Sequence, residues 1–245
     1  CYNNFNDFET FSMGSDSLVH DESYLSSQYA EFLGTKHHTV KMNANNSLDA
    51  LEKAVAAAGE PIGDLSILPT WEVSKLASSR VTVALSGDGG DELFFGYERF
   101  RSIAKNHWLW SFPYPLRFLI RGLDRMFVND KYVNECVLAK TPGEAHFGLH
   151  SRFPIGLIED LVPSLSNISL PENFDTYEYS KPREIDELLH LIRRAEFYGM
   201  LQKTLAKVDR ASMAHSLEVR VPFLKKTMIE KVANMGVNVH QPMTE

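Results

Sequence analysis

Apolar residues follow two rhythms along the first hundred positions, short unbroken runs and runs at helical spacing, and the two alternate. "TFSMGS", Thr10 to Ser15, reads as a short buried strand ending at Gly14. "ESYLSSQYAEFLGT" then sets Leu25, Tyr29, Phe32 and Leu33 at helical spacing, with Gly34 as a C-cap. "KHHTVKM" reads as a second strand. The alanine-rich "SLDALEKAVAAAGEP" predicts a helix that starts at an N-cap Ser47 or Asp49 and stops at Gly59 before Pro61. "PTWEVSKLASS" predicts another, with Trp71, Leu76 and Ala77 on its apolar side, followed by a strand from Val81 to Leu85.

Strands alternating with helices in this way predict an α/β fold with a doubly wound, mostly parallel sheet. In such a sheet the ligand crevice lies beyond the carboxyl ends of the strands, so Met13-Gly14 and Ser86 to Asp91 are expected on one working edge. After Tyr97 the strand signals fade, and "EIDELLHLIRRAEFYGMLQKTLAKVDRASMA" reads as helix. The chain 1–245 is therefore expected to divide into an α/β part, 1–100, and a mostly helical C-terminal extension, 101–245.

Composition narrows the function classes. At 245 residues, 44% hydrophobic and 23% charged, the chain suits one large domain or a domain with an appended subdomain. A net charge of -7 argues against non-specific binding to nucleic acid or a membrane surface, so neither partner is expected. "WLWSFPYPLRFLI" is broken by Pro113, Pro115 and Arg117 and is too short to span a bilayer. The first residues show no signal-peptide pattern, and two cysteines, Cys1 and Cys136, point to a reducing, cytoplasmic setting. The start without methionine and the abrupt "GVNVHQPMTE" end lead us to expect a piece of a longer protein.

The chemistry concentrates in two stretches. In "SGDGGDE", Gly87, Gly89 and Gly90 permit close backbone approach, and a helix is expected to start near Asp91. The acids Asp88, Asp91 and Glu92 would repel a bare polyphosphate but suit one bound through Mg²⁺. The plainer alternative is that they favour the positive end of the helix dipole. In "KTLAKVDRASMAHSLEVRVPF", Lys203, Lys207 and Arg210 fall on one helical face, fit either for a departing phosphate or for a solvated basic stripe. Glu218 and Arg220 are expected to pair and brace a buried turn. "EPIGDLSILPT", Glu60 to Thr70, could line a pocket or simply connect two helices. His37 and His38 should point to opposite faces of a strand, which is poor metal geometry. His215 reads as packed or surface, and Cys1 is discounted as a nucleophile because "YNN" offers no small-residue turn.

"SGDGGDELFFGYERF" and "KVDRASMAHSLEVRVPFL", preceded by "FSMGS", "DESYLSSQYAEFLGTKHH" and "EPIGDLSILPTWEVSKLA", together resemble the synthetase domain of glutamine-hydrolysing asparagine synthetases, within the ATP pyrophosphatase superfamily. The resemblance covers most of residues 10 to 100 and 197 to 224. It implies an adenine nucleotide α-hydrolase-like fold and a ligase that forms carbon-nitrogen bonds. Such an enzyme activates aspartate with ATP and Mg²⁺ as an acyl-adenylate, releases pyrophosphate, and accepts ammonia from glutamine to give asparagine.

Carried over by residue, Ser86 and Gly87 would contact nucleotide and intermediate, Met13 would lie against adenine, and Asp91 would hold Mg²⁺ and pyrophosphate. Asp88 would orient the intermediate or assist ammonia. The family's pyrophosphate-stabilising lysine aligns by strict spacing with Arg210, leaving Lys207 one turn away as the other candidate.

Departures accompany the likeness. The pyrophosphate loop and the glutaminase domain are expected upstream of Cys1, so this stretch alone is expected to be inactive. Asp88 stands for a glutamate, and Lys225 for an aspartate. Amidation or cyclisation of another carboxylate, or a non-catalytic nucleotide-binding module, are the alternatives, and assembly as a homodimer is left open.

Overall fold

A computed structural model of the chain describes residues 8–16, 21–42, 44–117, 136–150, 160–165 and 172–235. The chain is mixed α/β with parallel strands and many helices. It divides into two compact units, Cys1–Gly87 with Lys203–Pro222, and Asp88–Gln202 with Phe223–Glu245.

In the first unit, β1 (Glu9–Ser15), α1 (Ser23–Leu33) and β2 (Lys36–Met42) form a parallel strand pair with a helical crossover, as the sequence predicts. Gly34 takes the left-handed conformation that ends α1. One face of the pair is a polar ladder in which Thr10 and Ser12 each lie 3.0 Å from a ring nitrogen of His37. The side-chain alternation of a strand puts Phe11, Met13, His38 and Val40 on the other face. The periodic apolar residues of α1 do not form a core face. Ala30 is its buried residue, while Tyr29 and Phe32 are 59% and 86% exposed.

The next helix, α2 (Ala44–Ala58), starts three residues before the expected Ser47 and stops before Gly59 as predicted. Ala50, Ala54 and Ala58 recur every fourth residue along it. Their small side chains let the helix come close to Ile67 and Trp71 of α3 (Ile67–Ser78) and to Ala211 of α8. α8 is the helix Met200–Met213.

The connector from α2 to α3 is held to α8 by charge. Asp64 accepts hydrogen bonds from the Ser66 N-H at 3.0 Å and the Ser66 hydroxyl at 2.6 Å. Lys207 donates to Ser66 Oγ at 2.7 Å and sits 3.8 Å from Asp64, and Lys203 lies 3.6 Å from the same carboxylate. β3 (Val83–Leu85) then pairs in parallel with β4 (Glu218–Arg220). Among the described residues the strands thus form two separate two-stranded sheets.

The second unit begins with α4 (Gly90–Phe94) and α5 (Glu98–Lys105), and continues through α6 (Pro142–His150), α7 (Ile185–Tyr198) and α9 (Lys226–Asn234). α5 contributes Phe100, Ile103 and Ala104 to its core, and α7 contributes Leu188, Leu189, Ile192 and Ala195, each set one helical face. Tyr177, Tyr179, Leu109, Val137 and Cys136 are among the residues that join it.

Gly89 is confined twice over: its φ is +84°, and a Cβ there would lie 2.4 Å from Leu224 Cδ2. Gly89→Ala is expected to cost about 2 kcal/mol or more, read as a lower urea midpoint at unchanged m-value. A second prediction concerns Asp64. Burial alone would raise its carboxyl pKa, but Ser66 and Lys207 outweigh burial and lower it. Its contribution to stability is therefore present above the ordinary carboxylate range and lost as pH falls through it. Asp64→Asn should lower stability by about 1 to 2 kcal/mol at neutral pH, with the deficit shrinking in unfolding measurements carried below about pH 4.

Candidate functional site

The glycine-rich loop leaves β3 at Leu85 and enters α4 at Gly90. Ser86 is fixed by its backbone, whose N-H donates to the Arg220 carbonyl at 2.9 Å and extends the β3–β4 ladder by one step. The three glycines, expected to act alike, do different things. Gly89 and Gly90 are filled against Leu224 and Phe223, whereas no heavy atom lies within 4 Å of a Cβ built at Gly87. Room for a ligand beside the backbone is therefore at Gly87.

The acids divide too. Glu92 is buried, accepts a hydrogen bond from the Tyr97 hydroxyl at 3.1 Å, and has its pKa raised by burial. Asp91 is exposed and Asp88 half-buried. Gly89 is the N-cap of α4, so neither Asp91 nor Glu92 caps that helix. Asp91 Oδ1 occupies the space beside Gly96, 1.9 Å from where a Cβ would stand. An oxygen-only set from Asp88 and Asp91, with no imidazole or thiolate in the loop, fits a hard cation such as Mg²⁺.

Met13 lies near the carboxyl end of β1, half-buried and opposite Val40. Met13, Ser86, Gly87, Lys207 and Arg210 belong to the first unit, and Asp88 and Asp91 to the second. Within the first, Lys207 and Arg210 are brought to one place, the α2–α3 connector. Arg210 donates to the Ala58 carbonyl at the end of α2 and pairs with Glu60 at 2.8 Å. Lys203, Lys207 and Arg210 do share a face, as expected, but Asp64 and Glu60 answer its charge, so it is no free basic stripe.

Other expectations resolve simply. Glu218 and Arg220 pair at 2.8 Å, but both side chains are more than half exposed, so they form a surface pair rather than the brace of a buried turn. His37 meets Thr10 and Ser12 while His38 meets Glu9, on opposite faces. His215 packs edge-on to Trp71 with centroids 4.2 Å apart, and burial lowers its pKa. Thr70 lies inside α3 and Lys225 is the exposed N-cap of α9. Cys1 and the end "GVNVHQPMTE" lie outside the described residues. Among the described residues, no helix is long and apolar enough to cross a membrane.

Sequence reasoning missed a second cluster, outside the two stretches in which it placed the chemistry. His146 and His150, on α6, meet Glu196 of α7, with all three donor atoms within 4.8 Å of one another. His146 Nε2 lies 2.6 Å from Glu196 Oε1 and 3.3 Å from His150 Nε2, and His150 also contacts Oε1. Arg99 Nη2 donates to Glu196 Oε2 at 2.8 Å, and its guanidinium lies over the Tyr97 ring, 3.7 Å from the centroid. Burial pushes the His146 pKa down to about 4. Burial works to raise the Glu196 carboxyl, but its hydrogen bonds to His146 and His150 outweigh it and hold the carboxyl well below the usual range. The available signal was the spacing of "HFGLH", two histidines four apart on a helix.

The sequence pattern of the family described as asparagine synthase matches residues 2–241. The chain is 28% identical over 235 residues to asparagine synthetase (glutamine-hydrolyzing) 1 of Bacillus subtilis, covering 91% of this chain and 35% of that protein. It is 27% identical over 223 residues to a putative asparagine synthetase (glutamine-hydrolyzing) of Mycobacterium bovis, covering 88% of this chain and 33% of that protein. A putative asparagine synthetase (glutamine-hydrolyzing) 2 of Methanocaldococcus jannaschii is 38% identical over 88 residues, 36% of this chain and 17% of that protein. The chain thus spans about a third of the length of the first two relatives. With the family pattern running over nearly all of its residues, the chain belongs to the asparagine synthase family.

Proposed function

We propose that this chain is the synthetase part of a cytoplasmic, glutamine-dependent asparagine synthetase, with the doubly wound sheet of the ATP pyrophosphatases. The observation that carries the reading is the meeting of the two family-like segments. Val83–Leu85 pairs with Glu218–Arg220, and Gly89 and Gly90 pack on Leu224 and Phe223.

In this reading the aspartate side-chain carboxylate attacks the α-phosphorus of ATP, a new P–O bond forms, and the bond to the β-phosphate breaks to release pyrophosphate. Ammonia derived from glutamine then attacks the acyl carbon, AMP leaves with the former carboxylate oxygen, and a proton is lost to give the amide. Ser86 and Gly87 hold nucleotide and intermediate, which the open space at Gly87 supports. Met13 lies against adenine with its polarizable side chain. Asp91 holds Mg²⁺, which supplies charge neutralisation for the phosphates. Asp88 orients the intermediate for ammonia. Either Lys207 or Arg210 steadies pyrophosphate, and each must first exchange its protein carboxylate for the phosphate.

The full-length protein supplied with Mg-ATP, aspartate and ammonia should release pyrophosphate and AMP in equal amounts, and release of neither would end the asparagine reading. Asp91→Asn should lose Mg²⁺-dependent pyrophosphate release while unfolding at the wild-type temperature; unchanged turnover would mean that the carboxylate only serves the helix start. Lys207→Met and Arg210→Gln separate bracing from chemistry. Lys207→Met is expected to lower stability by about 1 to 3 kcal/mol. Arg210→Gln should raise the barrier to pyrophosphate release by about 2 to 4 kcal/mol with little change in unfolding.

A further inference from the structure

We propose that His146, His150 and Glu196 form a binding site for one divalent transition-metal ion of the zinc type, distinct from the magnesium chemistry assigned to Asp91. Helical spacing puts the two imidazoles on one face of α6, and α7 supplies the carboxylate from across the unit's core. Both Nε2 atoms converge on one oxygen, Glu196 Oε1.

The spacing is close to what such an ion needs. Bonds of about 2.0 to 2.2 Å to nitrogen and oxygen in a tetrahedral arrangement put neighbouring donors about 3.3 Å apart. The two Nε2 atoms already stand 3.3 Å apart. His146 Nε2 and Glu196 Oε1, at 2.6 Å, need to separate by less than about an ångström to match.

His146 and Glu196 are also oriented through the atom each would not use. The Tyr179 hydroxyl lies 2.9 Å from His146 Nδ1, so Nδ1-H can donate outward and leave the Nε2 lone pair facing the centre. Arg99 occupies Glu196 Oε2 and leaves Oε1 inward. The rings of Phe100 and Tyr177 stand 5.6 and 5.1 Å from the His146 ring and form an apolar wall. The His150 side chain, 8% exposed, gives the centre its edge toward solvent. Two imidazoles and one carboxylate are donors for zinc, cobalt or ferrous iron rather than for magnesium, and three protein ligands leave a fourth position open. None of the three has a role in the amide-forming chemistry proposed above. The rival account is a proton-sharing network in which both imidazoles donate to Glu196 and no ion enters.

The test is metal content. Full-length protein is stripped with chelator, incubated with Zn²⁺ or Co²⁺ and desalted. The expected result is one ion per chain, with visible absorption of low-symmetry Co²⁺. His150→Asn, at the edge of the cluster, should retain its circular dichroism and lose at least nine-tenths of the bound ion. His190→Asn, which removes an exposed histidine on the same α7 that carries Glu196, should bind as wild type does. The proposal is overturned if the wild type holds no stoichiometric ion, or if His150→Asn holds as much as the wild type.

Discussion

The parallel pairing of β3 with β4 binds two segments that lie far apart in the chain, and the position of the glycine-rich loop follows from it. The Glu218 N-H donates to the Thr82 carbonyl at 3.0 Å and the Ser86 N-H to the Arg220 carbonyl at 2.9 Å, so the ladder reaches one residue beyond the strands at either end. The loop therefore leaves the sheet at a fixed point, with Ser86 anchored and Gly87 open. The same two segments meet again around Gly89, where only a hydrogen in place of a Cβ lets Leu224 come so close. Two motifs that read separately along the sequence are, in space, two sides of one contact.

The first motif also builds the interior of the second unit. Glu92, Tyr97 and Arg99 come from "DELFFGYERF", and all three turn toward buried partners: Tyr97 to Glu92, and Arg99 to Glu196. Removing carboxylates from water is costly unless each finds charge or hydrogen bonds. Glu196 is satisfied by Arg99, His146 and His150 together. Loss of any one partner would leave a buried charge short of a contact, which binds α5, α6 and α7 through a polar centre inside an otherwise apolar core. The second half of this motif thus serves architecture.

Much of this was legible in the sequence, where local signals and tertiary packing agree. The β1, α1 and β2 order, the stops at Gly34 and Gly59, and the start of α4 beside Asp91 all follow from periodicity and glycine chemistry. Packing overrode the rest. A helical spacing of Leu25, Tyr29, Phe32 and Leu33 gives their angular position but not what covers them. The early start of α2 runs through Asn45 and Asn46, which weak propensity argues against. Lys207 and Arg210 read as a cationic face, but Asp64 and Glu60 answer them from well over a hundred residues away, and no local pattern shows that pairing. His146, His150 and Glu196 were hidden for the same reason, since their meeting depends on how α6 packs against α7.

The two cations also differ in what it would take to free them. Lys207 has only a tenth of its side chain exposed, and its ammonium is shared between Ser66 and Asp64. Withdrawing it would take away the donor to Ser66 Oγ and one of the two ammonium groups beside Asp64 in a partly dry setting, where such losses are large. Arg210 is 34% exposed and its partner Glu60 is 59% exposed, a pair of the kind that contributes about 0 to 1 kcal/mol. A guanidinium so held can pass from one carboxylate to a phosphate with little loss, and its planar fork matches phosphate oxygens better than an ammonium does. If a phosphate draws on the α8 face, Arg210 yields first, and Lys207 keeps the connector in register while it does.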